Sequence, residues 1–280
     1  MKITVLIEDS VDIEAGNSTG FDGDLAGEFG LSLFIESDER RILLDTGTTG
    51  RFAENADILG IDLEQVDAAV ISHSHFDHGG GLETFFRRNT STPVYLHPGA
   101  EGEYYSNIGA KLPMGVNRFV QPLISRSRRF SRYIGLDRDL IRTEKNRIRF
   151  VSEPAEILPG VFILTDILDR YPKPGGNQFL FTLCDGRMVP DPFDHEIILV
   201  VREDDGLVLF SGCCHNGIRN LVATVRSRFE NEPVKAVVGG FHLKLQPFKE
   251  AFSGTRQDIE QIGDSLKEQG IRTVFTGHCT

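Results

Sequence analysis

Ala68-Ala69-Val70-Ile71-Ser72-His73-Ser74-His75-Phe76-Asp77-His78-Gly79-Gly80-Gly81-Leu82 begins as an apolar run of strand character and breaks into three histidines and an aspartate within six residues. Three glycines follow, and Leu82-Glu83-Thr84-Phe85-Phe86-Arg87 then has the pattern of a helix. Imidazole nitrogens and carboxylate oxygens are the donors that zinc, iron and manganese accept, so their crowding at a strand end predicts a metal site. His73 and His75 are two residues apart; on extended backbone they point the same way and can share one ion. Asp77 and His78 come after the turn and can face that pair from another side, holding a second ion roughly 3.5–4 Å away. The glycines are expected to let the backbone pass close beneath the metals.

Working outward, Leu31-Ser32-Leu33-Phe34-Ile35 and Arg41-Ile42-Leu43-Leu44-Asp45 read as a hairpin-like pair. Residues 2–9 alternate as an edge strand, and 17–28 form a glycine-rich loop long enough to wall an active site. Downstream, helical patterns over 51–59, 216–229 and 257–269 are interspersed with strands near 94–96, 162–165, 197–201, 207–210, 234–238 and 273–276. Residues 171–178 are a turn-rich second wall, and His97, before a proline, reads as a surface or supporting residue.

With 280 residues and 40% hydrophobic content, the chain can bury a core of its own as one α/β domain spanning 1–280. Its formal charge of −11 argues against a non-specific nucleic-acid binder and suits a protein that gathers divalent cations. Glu8 and Asp9 interrupt the apolar start, and no run of 18 apolar residues occurs, which predicts no membrane span and a cytoplasmic protein. Cys184, Cys213, Cys214 and Cys279, two of them adjacent, do not resemble a disulfide framework and read as reduced thiols or ligands.

One segment departs from the acidic balance. From Arg118 to Phe150, nine arginines and one lysine stand against Asp137, Asp139 and Glu144, marking 101–150 as a basic insertion or lid. Its arginines, with Arg128 and Arg129 as candidates, either hold the phosphate or carboxylate of a small anionic substrate or dock on an acidic partner, a second copy in a homo-oligomer included. A plain solvated surface is the third reading.

The His-x-His-x-Asp-His pattern, with the preceding Leu43-Leu44-Asp45-Thr46-Gly47, resembles the metallo-β-lactamase superfamily. Glu28-Phe29-Gly30-Leu31-Ser32, Ser211-Gly212-Cys213-Cys214-His215, Gly239-Gly240-Phe241-His242-Leu243 and Gly277-His278-Cys279-Thr280 resemble, more narrowly, a subfamily of metal-dependent hydrolases. Some of its archaeal members are named dihydropterin–ribofuranosylaminobenzene phosphate synthases. The resemblance implies a four-layer αββα fold, two mixed β-sheets sandwiched between helices, and two divalent metal ions, zinc first with manganese or iron as alternatives. It implies that Asp45 orients the metal loop by hydrogen bonds without coordinating. It makes His278 a ligand and His242 a substrate-contacting or proton-donating residue, with the reverse assignment as the alternative.

Gly212-Cys213 stands where the superfamily often has Gly-Asp, so Cys213 is a candidate thiolate ligand. The usual Gly-His-Thr between the middle strands is absent. His215 supplies the missing imidazole in one reading, and His195, within Asp191-Pro192-Phe193-Asp194-His195, supplies it in the other.

Two ions would bring the pKa of a shared water to about 7. The expected reaction is hydrolysis: metal-bound hydroxide attacks a phosphorylated or otherwise anionic small molecule, Asp77 orients it, and His242 or His215 protonates the leaving group. A transferase joining a dihydropterin diphosphate to an arylamine ribofuranosyl phosphate is the alternative. A di-iron redox protein is a third class, opposed by Ser74, which stands where such members place glutamate, and by the lack of room for a flavin module.

Overall fold

The computed structural model describes residues 1–9, 25–107, 131–244 and 252–280. Its first sheet runs, in spatial order, β1 (Lys2–Ile7), β2 (Ser32–Ser37), β3 (Arg40–Leu44), β4 (Ala68–Val70), β5 (Val94–Leu96) and β8 (Ile148–Phe150). The second runs β16 (Thr273–Phe275), β15 (Val234–Val238), β14 (Gly206–Phe210), β13 (Ile198–Glu203), β10 (Val161–Leu164) and β9 (Ala155–Leu158). Both sheets are mixed. β1 to β3 are antiparallel and β3, β4, β5 and β8 are parallel, while β14, β15 and β16 are parallel and β9, β10, β13 and β14 antiparallel.

The central strands are apolar on both faces because each face meets a different layer. Leu43 shares a core with Phe52 of α1 (Arg51–Ile58) and Phe85 of α3 (Leu82–Arg88); the short helix between them is α2 (Phe76–Gly79). Ile42 and Leu44, on the opposite face of β3, join Val201, Val208 and Phe210 between the sheets. Leu207 and Leu209 then turn outward to Val222 of α5 (Ile218–Arg228) and Leu266 of α6 (Arg256–Glu268), α4 being Arg138–Thr143. Helix, sheet, sheet and helix follow one another, so the four-layer αββα expectation holds.

A third, four-stranded sheet lies beyond that expectation: β12 (Arg187–Pro190), β11 (Leu180–Cys184), β6 (Tyr104–Asn107) and β7 (Ser131–Tyr133). It divides the segment 101–150. β6 and β7 stand outside the sandwich, whereas α4 and β8 belong to it, because Ile141 and Ile148 supply apolar side chains to the first core. Arg128 and Arg129 lie outside the described residues. Among the described residues no helix is long and apolar enough to cross a membrane.

Register decides where the chemistry collects. β3 and β4 are parallel with Leu44 beside Val70, and β14, β15 and β16 are parallel with Phe210, Val238 and Phe275 in line. The polar segments Asp45–Gly47, Ser72–His78, Ser211–His215, Gly239–His242 and Thr276–His278 therefore leave the two sheets along one edge.

Candidate metal centre

At that edge Asp45 is fully buried and holds two of the histidines. The Ser72 amide donates to Asp45 Oδ1 (2.7 Å), and the Ser72 hydroxyl donates to Oδ2 (2.7 Å) while accepting from His73 Nδ1 (2.9 Å). His78 Nδ1 donates to the same Oδ2 (2.6 Å). A carboxylate can only accept, so these contacts fix the proton on Nδ1 of both rings and leave both Nε2 atoms as bare lone pairs. Gly212 makes the arrangement fit: a Cβ there would lie 2.1 Å from Ser72 Oγ and 3.0 Å from His73 Nδ1. Asp45→Asn removes the anionic acceptor that His78 meets directly and His73 through the Ser72 hydroxyl, and metal affinity is expected to fall about 10–100-fold, read by competition with a chromophoric chelator.

His73, His75 and His215 form a triangle with ring centroids 4.7, 4.8 and 4.9 Å apart, and the Nε2 of each is buried without a hydrogen-bond partner among the described residues. His215 is set by Asn177, whose Oδ1 accepts from His215 Nδ1 (3.0 Å), and by Phe193, stacked on its ring at 4.4 Å and 7°. Buried imidazole nitrogens without partners are costly unless a cation sits among them; the donor atoms of His73 and His215 gather with Cys213, and those of His75 with Asp191 and His195. The rival histidine is placed otherwise. His195 Nδ1 accepts from the Ser74 amide (3.1 Å) and its Nε2 lies 3.1 Å from Asp191 Oδ2, so both of its nitrogens are engaged, whereas His215 Nε2 has no partner among the described residues.

Beside the triangle, Asp77 Oδ2 lies 3.4 Å from His278 Nε2 and 3.7 Å from His78 Nε2, and the two Nε2 atoms are 3.3 Å apart. His278 Nδ1 is held by Asp9 Oδ1 (2.7 Å), and its amide by Glu8. With both Nδ1 atoms committed to carboxylates, two lone pairs face each other, which is repulsive without a cation or a proton between them. These separations suit a tetrahedral ion, whose bonds of about 2.1 Å set ligand atoms about 3.4 Å apart. Cys213 Sγ is 3.1 Å from His78 Nε2 and also lies within reach of His73 and His215, between the two donor sets. Cys279 Sγ is 3.3 Å from Cys213 Sγ.

The groups' own electrostatics divide them. Burial, then the neighbouring imidazole of His195, pushes His75 down to about 3, and burial holds His73 and His215 well below the ordinary imidazole range. Burial pushes the Asp77 carboxyl up, but His78 and His278 outweigh it and keep Asp77 ionised. Burial also opposes the charge on His278, yet Cys279, Asp77 and Asp9 hold its proton well above the usual range.

In the unfolded chain His73, His75 and His215 take up protons below about pH 6.5, whereas folded they stay neutral to far lower pH. The unfolded state binds more protons in that window, so stability falls on acidification, with the protonated His278 offsetting a part. The urea midpoint of metal-free protein is expected to drop between about pH 7.5 and about pH 5, measured by circular dichroism; an unchanged midpoint contradicts it.

His242 stands outside both donor sets. Its ring is 4.3 Å from that of His215, its Nδ1 is buried and unpartnered, and it lines a cavity of about 530 Å³ together with Asp77, Phe29, Phe76 and Arg132. Its backbone is left-handed, as are those of Asp45, Phe193, Cys214 and His278 along the same edge. Each such residue costs about 1–3 kcal/mol and persists only where its surroundings over-determine it.

Of the walls expected from the sequence, 171–178 is in place: Asn177 holds His215, and a Cβ at Gly176 would lie 2.9 Å from His242 Nε2. In the other wall, 17–24 fall outside the described residues. Glu28 closes the turn above α1 by accepting from the amides of Thr48 (3.0 Å) and Thr49 (2.9 Å). His97 is half-buried and caps its own turn by accepting from the Gly99 amide.

Sequence reasoning misses four supports. Glu196, buried, accepts from the amides of His215 (2.7 Å) and Asn216 (2.8 Å) and sets the loop carrying the third imidazole; its signal is an acid abutting the apolar run 197–201. Asn177 and Asp9 are reached only across long stretches of chain, whereas Asp191 meets His195 four residues on.

The site and the layered sandwich define a metal-dependent hydrolase fold. A family model described as the metallo-beta-lactamase superfamily matches residues 25–278, and the chain belongs to that superfamily. It is 30% identical over 284 residues to the 7,8-dihydropterin-6-methyl-4-(beta-D-ribofuranosyl)-aminobenzene-5'-phosphate synthase of Methanocaldococcus jannaschii, covering 95% of this chain and 85% of that protein. The crystal structure of Tm1679, titled a metal-dependent hydrolase of the beta-lactamase superfamily, matches with a TM-score of 0.74 at 32% identity, covering 99% of this chain and 88% of that one. A shorter match, 40% identical over 76 residues, joins 26% of this chain to 31% of the anti-Pycsar protein Apyc1 of Saccharibacillus brassicae. Members of the superfamily bind divalent metals, and the names of these relatives indicate an enzyme.

Proposed function

We propose that the chain is a hydrolase that uses two divalent cations on a phosphorylated or otherwise anionic small molecule. His73, His75 and His215 would hold one cation, and Asp77, His78 and His278 the other, with Cys213 between them. The observation that carries this reading is the gathering of Asp77 Oδ2 and the His78 and His278 Nε2 atoms within 3.3–3.7 Å of one another, each ring held through Nδ1 by a carboxylate. Burial, then the neighbouring Cys279, pushes the Cys213 thiol up, so a cation would displace its proton on binding; as a thiolate beside imidazoles it would favour zinc over manganese or iron. Such cations, when bound, acidify water to a pKa of about 7 and neutralise charge that develops on an acyl or phosphoryl oxygen.

The chain's own groups do the rest. Asp77, kept ionised, accepts a hydrogen bond from the attacking water and orients it. His242, with a free Nδ1 at the cavity, donates a proton to the leaving group. The 530 Å³ cavity falls within the range of small-molecule sites. A transferase reading, joining a dihydropterin diphosphate to an arylamine ribofuranosyl phosphate, draws support from the synthase name of the 30% identical relative and would use the same groups to grip a diphosphate.

The two readings part in one experiment. Zinc-loaded or manganese-loaded protein is offered a phosphodiester chromogen, a thioester, a lactone, and the two pterin-pathway substrates together. Turnover of a single substrate with water supports hydrolysis. Diphosphate release that needs both substrates supports transfer, and two bound irons with an oxygen-sensitive spectrum would overturn both.

A further inference from the structure

Charge counting marks 118–150 as basic, but most of its described arginines are spoken for. Arg138 pairs with Glu103 (2.9 Å) and Arg142 with Asp139 (3.0 Å). Arg147 donates to the carbonyl of Thr92 (2.9 Å) with its guanidinium over Phe86, and Arg149 donates to the carbonyls of Asn146 and Ile148. Arg132 alone in that stretch has neither a hydrogen bond nor an ion pair among the described residues. Its guanidinium carbon instead lies 5.0 Å over the ring of Phe76, and it lines the cavity above the two donor sets.

This position is built into the fold. Arg132 sits on β7 opposite Ser106 of β6, and two residues on, the Ile134 carbonyl accepts from the Phe76 amide (2.8 Å) while Gly135 bridges to His75. The strand carrying Arg132 and the loop carrying His75 and Asp77 are thereby hydrogen-bonded to each other. On the far side, Phe29 lies 6.4 Å from Phe76 and 5.1 Å from the His278 ring, and 38% of its surface is exposed at the mouth. Stacking occupies the guanidinium's face and leaves its N–H edge for a planar anion, which it grips bidentately. The rings of Phe29 and Phe76 beside it stay wet under a bare phosphate and are covered by a flat unsaturated body.

We propose that Arg132, Phe76 and Phe29 form the recognition subsite of this centre, selecting an aryl or heteroaryl compound that carries a phosphate or carboxylate away from the bond that reacts. This rests on the reading of the two donor sets as the reacting centre. Isothermal titration of the full chain, zinc-loaded and metal-free, with phenylphosphonate, benzoate, cyclohexylphosphonate and inorganic phosphate tests it. Phenylphosphonate is expected to bind more tightly than cyclohexylphosphonate and inorganic phosphate. Arg132→Ala is expected to weaken it about 10-fold or more, Arg132→Lys to restore only part, and Phe29→Leu to remove the preference for aryl over cyclohexyl. Benzoate tells whether carboxylate serves as well as phosphonate.

Neither Arg132 nor Phe29 belongs to a donor set, so the same differences are expected without metal. A chain that binds no zinc yet shows them keeps the subsite and refutes the metal reading. Unchanged affinity in Arg132→Ala, or equal affinity for the aryl and cyclohexyl anions, overturns the subsite.

Discussion

His75→Ala is expected to remove one cation per chain and to lower turnover by more than about 10³-fold, well beyond the 10–100-fold typical of an outer hydrogen-bond partner. His75 supplies one of three buried Nε2 atoms that have no other partner, and alanine leaves two imidazoles with an open corner. The second set, Asp77, His78 and His278, is untouched, so metal content measured by mass spectrometry should fall from two equivalents to one. His215→Ala should behave the same way. His195→Ala should keep both equivalents, because its nitrogens already serve Ser74 and Asp191. Loss of an equivalent in His195→Ala with full content in His215→Ala would reverse that assignment.

The second large effect is at Asp77. Asp77→Asn preserves shape but removes the one carboxylate that faces both His78 Nε2 and His278 Nε2, and with it the acceptor proposed to orient water. An amide is a weak ligand for a hard or borderline cation. The second equivalent should be lost first on dialysis, and turnover should fall by more than about 10²-fold with little change in KM, since the loss falls on the reacting step. A KM rise at unchanged kcat would place Asp77 in binding instead.

The family and the layered architecture were readable from residues 68–82 and the strands around them, because two-residue spacing on extended backbone fixes which side chains point together. The place of His78 followed from the turn after His75, and the Asp45 and His278 roles from the family resemblance. What local patterns could not reveal was competition over distance. His195 and His215 are equally plausible imidazoles in the sequence, and only the Ser74 amide, 121 residues away, decides between them.

The triple glycine marks a close approach of backbone to backbone. A Cβ at Gly80 would lie 2.2 Å from the Thr48 carbonyl and one at Gly81 2.3 Å from that of Thr46, so these glycines seat the helix on the 46–49 turn. Composition marks the basic segment but does not apportion its arginines. Net charge cannot show that Arg138 answers Glu103 or that Arg147 ties down main-chain carbonyls. The third sheet escaped notice because β7, at three residues, is too short to display a period.

The central claim is that two cations bind at this edge, one on each donor set. Anomalous diffraction from a zinc-loaded crystal, collected across the zinc edge, tests it most directly. Two peaks about 3.5–4 Å apart are predicted, one within reach of the Nε2 atoms of His73, His75 and His215 and the other among Asp77, His78 and His278. A pocket without anomalous density, or a peak lying on His195 and Asp191 instead, would contradict it.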